Sequence, residues 1–168
     1  PTTKAEYGLH DEPISRDEII GNLVDKDIYE KVEDYALQLF KAGQKWSNDR
    51  GLILVDTKYE FGIYKDEIII IDEIHTPDSS RYWIKNEYQE RFNKGENQLM
   101  LDKENIRQWL ISKGFSGEGT PPELDDEIRI LLSEKYIELY KILTNNEFQP
   151  LVGDVSDRIA KNLESLDI

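Results

Sequence analysis

Two neighbouring segments rich in β-branched and aromatic residues constrain the fold of this chain more than any other feature. They are Gly51–Gly62 (GLILVDTKYEFG) and Glu67–Ile74 (EIIIIDEI), and the polar stretch Tyr64–Asp66 lies between them. Residues of this kind favour extended backbone, and two strands joined by a short polar connection form an antiparallel hairpin. The sequence therefore predicts a β-hairpin within residues 51–76.

Helical periodicity surrounds this hairpin. Between residues 25 and 50 the apolar positions recur at spacings of three or four, which is typical of an amphipathic helix. Further helices are predicted at Asp102–Lys113, at Leu124–Leu143 and in a last segment that carries Val155 and Ile159. Strands followed by helices indicate an α+β fold, with an antiparallel hairpin or sheet packed by helices.

The length of 168 residues suits a single domain. We divide it into a lead-in segment (1–24), a helix (25–50), a hairpin with a metal site (51–76), and a substrate loop with C-terminal helices (77–168). The chain starts at Pro1 without a methionine, so we expect either a processed protein or a piece of a longer one.

Composition excludes several classes of function. Asp and Glu total 35 against 21 Lys and Arg, a net charge of −14 that argues against binding to duplex nucleic acid. Cysteine is absent, which excludes thiolate metal sites and cysteine nucleophiles. No apolar run approaches the roughly 20 residues that cross a bilayer. We expect a soluble, cytoplasmic protein without nucleic-acid or membrane partners.

Alternation along the first predicted strand separates an apolar face from a charged one. We expect the face that runs from Ile53 to Phe61 through every second residue to meet the core. The opposite face carries Asp56, Lys58 and Glu60. If the turn centres near Asp66, Glu60 lies opposite Asp72 on the second strand.

Two carboxylates directly opposite each other repel, unless both reach water or a cation lies between them. Mg²⁺ is the natural cation, because one or two carboxylates bind it and water and substrate phosphates complete its shell. The alternative is an ordinary solvated face of an edge hairpin, which is common in acidic proteins. A register shift of one residue would also move Asp72 to the other face.

Positive side chains cluster further along the chain. Lys103 and Arg107 lie four residues apart at the start of a predicted helix whose N-cap we assign to Asp102. Like charges at this spacing repel and oppose the helix dipole, so the pattern suits an anion such as phosphate or carboxylate. A solvated basic corner is the alternative.

Three further residues are weaker candidates. Arg81 follows the hydroxyl-rich stretch that contains Ser79, and a guanidinium there can bind a carboxylate through two hydrogen bonds. Lys4 is a further candidate for binding substrate. His75 follows the charged strand and could act as a base, although a lone histidine is more often structural.

Several segments together resemble the SAICAR synthetase family, whose C-terminal lobe is similar to that of ATP-grasp enzymes. They are PTTKAEYGLHDEPIS, GLILVDTKYEFG, IDEIHTPDSSRYW, DKENIRQWL and PPELDDEIRILLSEKYIELYKILT. The motifs occur in family order, and the resemblance extends from the first residue to about Thr144.

The resemblance implies an ATP-dependent ligase of purine synthesis. Such an enzyme joins the carboxylate of carboxyaminoimidazole ribotide to the amine of L-aspartate through an acyl phosphate, giving SAICAR, ADP and phosphate. By the same resemblance Glu60 and Asp72 bind Mg²⁺, and Asp56 and Lys58 act catalytically beside the ribotide and the transferred phosphate. The implied substrate-binding residues are Ser79, Arg81, Lys103 and Arg107.

One departure from the family bears on activity. The N-terminal lobe, with its glycine-rich loop over ATP, has no counterpart in these residues, so we expect the 168-residue chain by itself to have little or no ligase activity. Two alternatives stay open. One is a non-catalytic acidic α+β module that docks a partner, and the other is a different Mg²⁺-dependent phosphoryl-transfer domain.

Overall fold

The computed structural model describes residues 1–3, 11–164 and 166; Lys4 therefore lies outside the described residues. The elements are six helices and four strands within that part of the chain. In chain order they are α1 (Arg16–Asn22), α2 (Lys26–Asn48), β1 (Leu52–Thr57), β2 (Phe61–Tyr64), β3 (Glu67–Ile70), β4 (Ser80–Ile84), α3 (Lys85–Lys94), α4 (Glu104–Ser112), α5 (Asp126–Thr144) and α6 (Val155–Glu164). This mixture of helices and antiparallel strands confirms the predicted α+β class.

The first strand does not pair as predicted. β1 pairs in antiparallel fashion with β4, a segment that we predicted as loop, rather than with the second half of the proposed hairpin. The register shifts between Leu54 and Asp56, which leaves Val55 as a bulge. Because a bulge inserts one residue, it changes which side chains face the partner strand. As a result, Asp56 lies opposite Arg81.

The predicted core face of β1 is also wrong. The deeply buried residues of this strand are Leu52 and Leu54, which are 1% and 2% exposed, whereas Ile53 and Val55 are partly exposed. The cluster around them also contains Tyr82, Leu101 and Leu139. Leu52 and Leu54, at the apolar start of the predicted charged face, thus enter the core. The bulge at Val55 allows the charged residues at the end of that face to reach the surface.

A shorter hairpin forms from β2 and β3. Tyr64 pairs with Glu67, and the turn residues Lys65 and Asp66 have φ angles of 51° and 64°. Two positive φ angles are typical of the tight two-residue turns that suit hairpin twist. The turn falls within the predicted polar stretch, but its centre lies between Lys65 and Asp66 rather than at Asp66, and the strands of this hairpin are shorter than expected and form a sheet of their own.

The long helix α2 confirms the prediction for residues 25–50, and Asp25 caps it by accepting hydrogen bonds from the main-chain N–H groups of Asp27 and Ile28. The preceding helix α1 lies in the segment predicted as an irregular lead-in. Ser15 and Glu18 form a capping box at its start. No helix of the described residues has the length and apolar character to cross a membrane.

Candidate functional site

An open cavity of about 210 Å³ lies where the β1–β4 pair meets the start of α4. Its walls combine positive side chains, carboxylates and hydroxyls. The lining residues are Asp56, Asp78, Ser79, Ser80, Arg81, Asp102, Lys103, Glu104 and Arg107. The structure therefore brings together the predicted residues Asp56, Ser79, Arg81, Lys103 and Arg107, although they come from separate parts of the sequence.

Arg81 and Asp56 form the closest charged pair of the cavity. Arg81 Nε donates to both carboxylate oxygens of Asp56, at 2.9 and 3.0 Å, and Nη2 also contacts Oδ2. This hydrogen bonding raises the pKa of Arg81 above its ordinary value. The pair is nearly half exposed, so Asp56 orients a guanidinium that remains accessible from the cavity.

The other two predicted cations border the cavity on α4 and the residue before it. Lys103 Nζ lies 3.1 Å from Asp78 Oδ1, and Arg107 Nη1 lies 3.7 Å from Glu104 Oε2. Both cations are more than half exposed. Exposed ion pairs of this kind are weak, so an anionic ligand can compete for these side chains.

The cavity floor contains a buried carboxylate whose position the sequence did not reveal. Asp102 is 0% exposed, and its Oδ2 accepts from the main-chain N–H of Tyr82 at 2.7 Å. Its Oδ1 accepts from Glu104 N at 2.8 Å. The N-cap itself is Lys103, so the prediction for Asp102 is off by one residue. Burial raises the pKa of Asp102, although the two main-chain hydrogen bonds lower it.

A hydroxyl-rich loop forms the rim between Thr76 and Ser80. Thr76 Oγ1 accepts from the main-chain N–H groups of Asp78 and Ser79, each at 3.3 Å. Ser80, only 3% exposed, donates its hydroxyl to Thr57 Oγ1 at 2.8 Å. These bonds fix the loop that carries Asp78 and Ser79 against the end of β1.

The predicted metal-binding residues lie on the neighbouring segment. The expected pairing of Glu60 with Asp72 is wrong, because the main-chain N–H of Ile71 donates to the Glu60 carbonyl at 3.1 Å. The two-residue turn at Lys65 and Asp66 sets this register one residue away from the expected one. Regular pairing ends at Phe61 and Ile70.

Lys58 connects these carboxylates to the cavity. Its Nζ lies 2.5 Å from Glu60 Oε1, and its main-chain N–H donates to the Ser79 carbonyl at 3.2 Å. The hydrogen bond with Glu60 raises the pKa of Lys58, and attraction from Glu60, Asp11 and Asp72 adds to the shift. Both predicted metal-binding carboxylates therefore act on one ammonium group.

The donor chemistry of Glu60 and Asp72 is compatible with a magnesium ion that keeps several waters, although the observed register does not place the two residues directly opposite each other. Among the described residues, no three His, Cys, Asp or Glu side chains form a metal cage. Mg²⁺ does not require one, because one or two carboxylates with water and phosphate oxygens complete its octahedral shell. Glu60 and Asp72 supply hard oxygen donors, and both attract the Lys58 ammonium.

His75 has a structural environment. Its Nε2 lies 2.5 Å from the Tyr59 hydroxyl, and burial lowers the pKa of the imidazole. Its carbonyl accepts from the Tyr82 hydroxyl at 2.6 Å. The ring packs so closely against Gly43 of α2 that a Cβ there would lie 2.3 Å from Cε1. These contacts anchor the segment before the Thr76–Ser80 loop.

Comparison with known proteins gives this geometry a context. The family model described as SAICAR synthetase matches residues 1–122. This chain belongs to the SAICAR synthetase family. A phosphoribosylaminoimidazole-succinocarboxamide synthase from Bacteroides thetaiotaomicron is 49% identical over 167 residues, which cover 97% of this chain and 53% of that protein. One from Azobacteroides pseudotrichonymphae is 51% identical over 169 residues, covering 98% of this chain and 52% of that protein. The chain therefore spans about half the length of these curated relatives.

Solved structures agree with the family assignment. The SAICAR synthase of Saccharomyces cerevisiae complexed with SAICAR superimposes with a TM-score of 0.70 at 35% identity, covering 83% of this chain and 46% of that one. A structure of SAICAR synthetase (Type-2) in complex with ADP has a TM-score of 0.60 at 27% identity, covering 84% of this chain and 48% of that one. The predicted family and fold class are confirmed.

Proposed function

We propose that this chain supplies the substrate-binding and metal-binding half of a SAICAR synthetase, a ligase of purine synthesis. The observation that carries the proposal is the cavity that gathers Arg81, Lys103 and Arg107 in a protein with a net charge of −14. Carboxylates line the same cavity and pair with these cations, but the pairs are exposed and therefore weak, so an anionic substrate can compete for Lys103 and Arg107 and reach Arg81 beside Asp56. The proposed location is the cytoplasm.

The charges divide into two groups that suit the two kinds of reactant. The cations of the cavity suit the phosphate of carboxyaminoimidazole ribotide and the carboxylates of L-aspartate. Glu60 and Asp72 suit Mg²⁺ beneath the phosphates of ATP. Lys58 contacts Glu60 through its side chain and Ser79 through its main chain, so it lies between the groups.

The proposed chemistry has two steps. A carboxylate oxygen of the ribotide attacks the γ-phosphorus of ATP, which releases ADP and forms an acyl phosphate. The amine of L-aspartate then attacks the acyl carbon, phosphate leaves, and the nitrogen loses a proton. Bound Mg²⁺ supplies charge neutralisation on the phosphate oxygens.

In both steps the chain's own residues position reactants and stabilise negative charge. The Lys58 ammonium lies beside the position proposed for the transferred phosphoryl group. Arg81, oriented by Asp56, holds a carboxylate, and Lys103 and Arg107 hold the ribotide. Preorganised positive groups of this kind lower the barrier because they need no reorientation as charge develops.

We infer that the nucleotide cleft also needs the segment that forms the other half of the curated relatives. Asp72 is exposed, whereas the Glu60 side chain is 25% exposed and paired with Lys58, and the chain spans only about half the length of the curated relatives. We therefore expect the 168-residue chain to bind nucleotide weakly and to show little or no turnover alone.

Binding of Mg²⁺–ADP to the purified chain, followed by isothermal titration calorimetry, tests the metal assignment. We expect Glu60→Gln and Asp72→Asn each to weaken binding at least tenfold. The matched control is Glu67→Gln, which removes an exposed carboxylate from the same hairpin and should leave binding within twofold. Equal losses in all three variants would overturn the metal assignment.

A chimera tests the ligase. It joins the preceding half of the Bacteroides thetaiotaomicron relative to this chain, and the intact relative serves as the control. We expect SAICAR formation that requires the ribotide, L-aspartate and ATP together. A folded chimera that hydrolyses ATP without either co-substrate would favour the alternative of a different Mg²⁺-dependent phosphoryl-transfer domain. A folded chimera without any ATP-dependent activity would favour the non-catalytic interaction module.

A further inference from the structure

We propose that Asp102 is a positioning residue that sets the spacing between the two groups of cations in the cavity, an inference that rests on the proposed function. One group is Arg81 on β4, and the other is Lys103 and Arg107 at the start of α4. The carboxylate of Asp102 bonds to both elements at once, so a single buried side chain fixes their relative position.

The first bond continues a ladder along β4. The Ile84 N–H donates to the Leu99 carbonyl at 3.0 Å, and the Leu101 N–H donates to the Tyr82 carbonyl at 3.2 Å. At the next position the Tyr82 N–H donates to Asp102 Oδ2 at 2.7 Å. The side chain thus replaces a strand carbonyl, and it does so at the residue directly after Arg81.

The second bond starts α4. Lys103 is the N-cap but makes no side-chain capping bond, so the first N–H groups of the helix need another acceptor. Asp102 Oδ1 accepts from the Glu104 N–H at 2.8 Å. The Lys103 N–H donates to the Pro77 carbonyl at 3.2 Å, which ties the same turn to the loop at the cavity rim.

Burial makes this arrangement difficult to replace. Asp102 and Tyr82 are both 0% exposed, and Leu101 is 1% exposed. A buried carboxylate is retained where it satisfies donors that no water can reach. Its negative charge also acts on Arg81. Asp102 therefore influences the anion-binding side chains without needing to touch the ligand.

The experiment compares Asp102→Asn with a matched control, Leu101→Ala. The asparagine cannot accept both main-chain hydrogen bonds, whereas the alanine removes adjacent buried volume and leaves the carboxylate in place. Binding of SAICAR and of inorganic phosphate is measured calorimetrically on the 168-residue chain, at a temperature where circular dichroism shows each variant to be folded. We expect Asp102→Asn to weaken binding of both probes at least tenfold and Leu101→Ala to change it less than twofold.

A second variant covers the case in which Asp102→Asn does not fold. Asp102→Glu keeps both acceptor oxygens and adds one methylene, so we expect an intermediate loss of about threefold relative to the unaltered chain. Binding losses in the Asp102 variants no larger than that of Leu101→Ala would overturn the inference.

A spectroscopic measurement separates failure of this inference from failure of the proposed function. Should the unaltered chain bind neither SAICAR nor phosphate, the proposed cavity assignment fails. The Nε–H resonance of Arg81 in ¹H–¹⁵N spectra still reports the position of that guanidinium. We expect this resonance to shift in Asp102→Asn and to stay in place in Leu101→Ala. An unchanged resonance in Asp102→Asn would overturn the positioning role.

Discussion

The cavity and the β2–β3 hairpin hold their charged side chains in different ways. Behind the cavity lie Ser80, Tyr82 and Asp102, which are at most 3% exposed and tie β1, β4 and α4 together. The hairpin belongs to a separate two-stranded sheet, and its neighbouring Lys58–Glu60 pair is 59% and 25% exposed. The core thus orders the cavity in advance, whereas the carboxylates that we propose for Mg²⁺ lie outside that core.

This difference suits the proposed reaction. A substrate held by directional hydrogen bonds needs fixed partners, because small displacements reduce the rate strongly. A hydrated metal and a nucleotide tolerate adjustment, since water completes the metal shell. We therefore expect mutations behind the cavity to affect folding as well as ligand binding, and mutations at the carboxylates beside the hairpin to affect ligand binding with little effect on folding. Four measurements test this distinction, in order from the largest expected effect on stability to the smallest.

The largest effect is expected from truncation of the core behind the cavity. Leu54→Ala removes a side chain that is 2% exposed and should lower the free energy of unfolding by about 2–5 kcal/mol. Ile63→Ala on the hairpin removes a side chain that is 59% exposed and should lower it by less than about 1 kcal/mol. Urea unfolding followed by circular dichroism measures both. Similar losses would contradict the proposed contrast.

The next largest effect on stability is expected at Gly43 of α2, against which the His75 ring packs just before the Thr76–Ser80 loop. In Gly43→Ala the new Cβ would lie 2.3 to 2.8 Å from atoms of the His75 ring, so we expect a loss of about 1–3 kcal/mol in the free energy of unfolding. Gly21→Ala is the control, because a Cβ there would meet no atom within 4 Å apart from its chain neighbours and the backbone of its own helix. That change should be neutral or stabilise the helix by up to about 1 kcal/mol.

A double variant sharpens this test. If the clash with the ring causes the loss, combining Gly43→Ala with His75→Ala should destabilise the protein by less than the sum of the single changes. Additive losses would show that Gly43 is required for another reason.

Local patterns predicted much of the fold. Helix α2 was predicted from apolar spacing, and the tight turn at Lys65 and Asp66 from a polar break between β-rich segments. The capping box of Ser15 and Glu18, which starts α1, is also a local signal, although residues 1–24 were predicted as a lead-in segment without a helix. Signals that depend on residues a few positions apart can be recognised without tertiary structure.

Long-range pairing could not be predicted in the same way. The partner of β1 lies more than twenty residues further along the chain, and the bulge at Val55 ends the alternation on which the predicted core face depended. The same limitation applies to the cavity. Arg81 and Lys103 were recognised by their charge, whereas Asp102 gains its role from burial and from main-chain partners that only the folded chain provides.

A smaller effect is expected on the pH dependence of the free energy of unfolding. Burial lowers the pKa of His75, so the folded state favours the neutral ring. Its stabilising contribution is therefore complete above the unfolded pKa, about 6.5, and is lost as the pH falls through the lower folded value. We expect the free energy of unfolding of His75→Asn to decline less than that of the unaltered chain as the pH falls below about 6.5. Asparagine is chosen because it tolerates the positive φ of 56° at this residue.

Urea titrations at a series of pH values measure this difference. The many acidic groups titrate in both proteins, so subtracting one profile from the other isolates the contribution of His75. Identical profiles would show that the ring is equally easy to protonate in the folded and unfolded chains.

The smallest effect on stability is expected at Arg81, where the consequence for binding should be large. The pair with Asp56 is nearly half exposed, so Arg81→Lys should change the free energy of unfolding by less than about 1 kcal/mol. Lysine keeps the charge but loses the planar fork that donates through Nε and Nη2. We therefore expect SAICAR binding to weaken at least tenfold, as measured by calorimetry on the folded variant.

Lys135→Arg on α5 is the control, since its partner Glu138 lies outside the cavity and the exchange should leave binding unchanged. If Arg81→Lys bound SAICAR as tightly as the unaltered chain, the cavity would recognise charge alone. The buried residues that fix the position of Arg81 would then have no role in selecting the ligand.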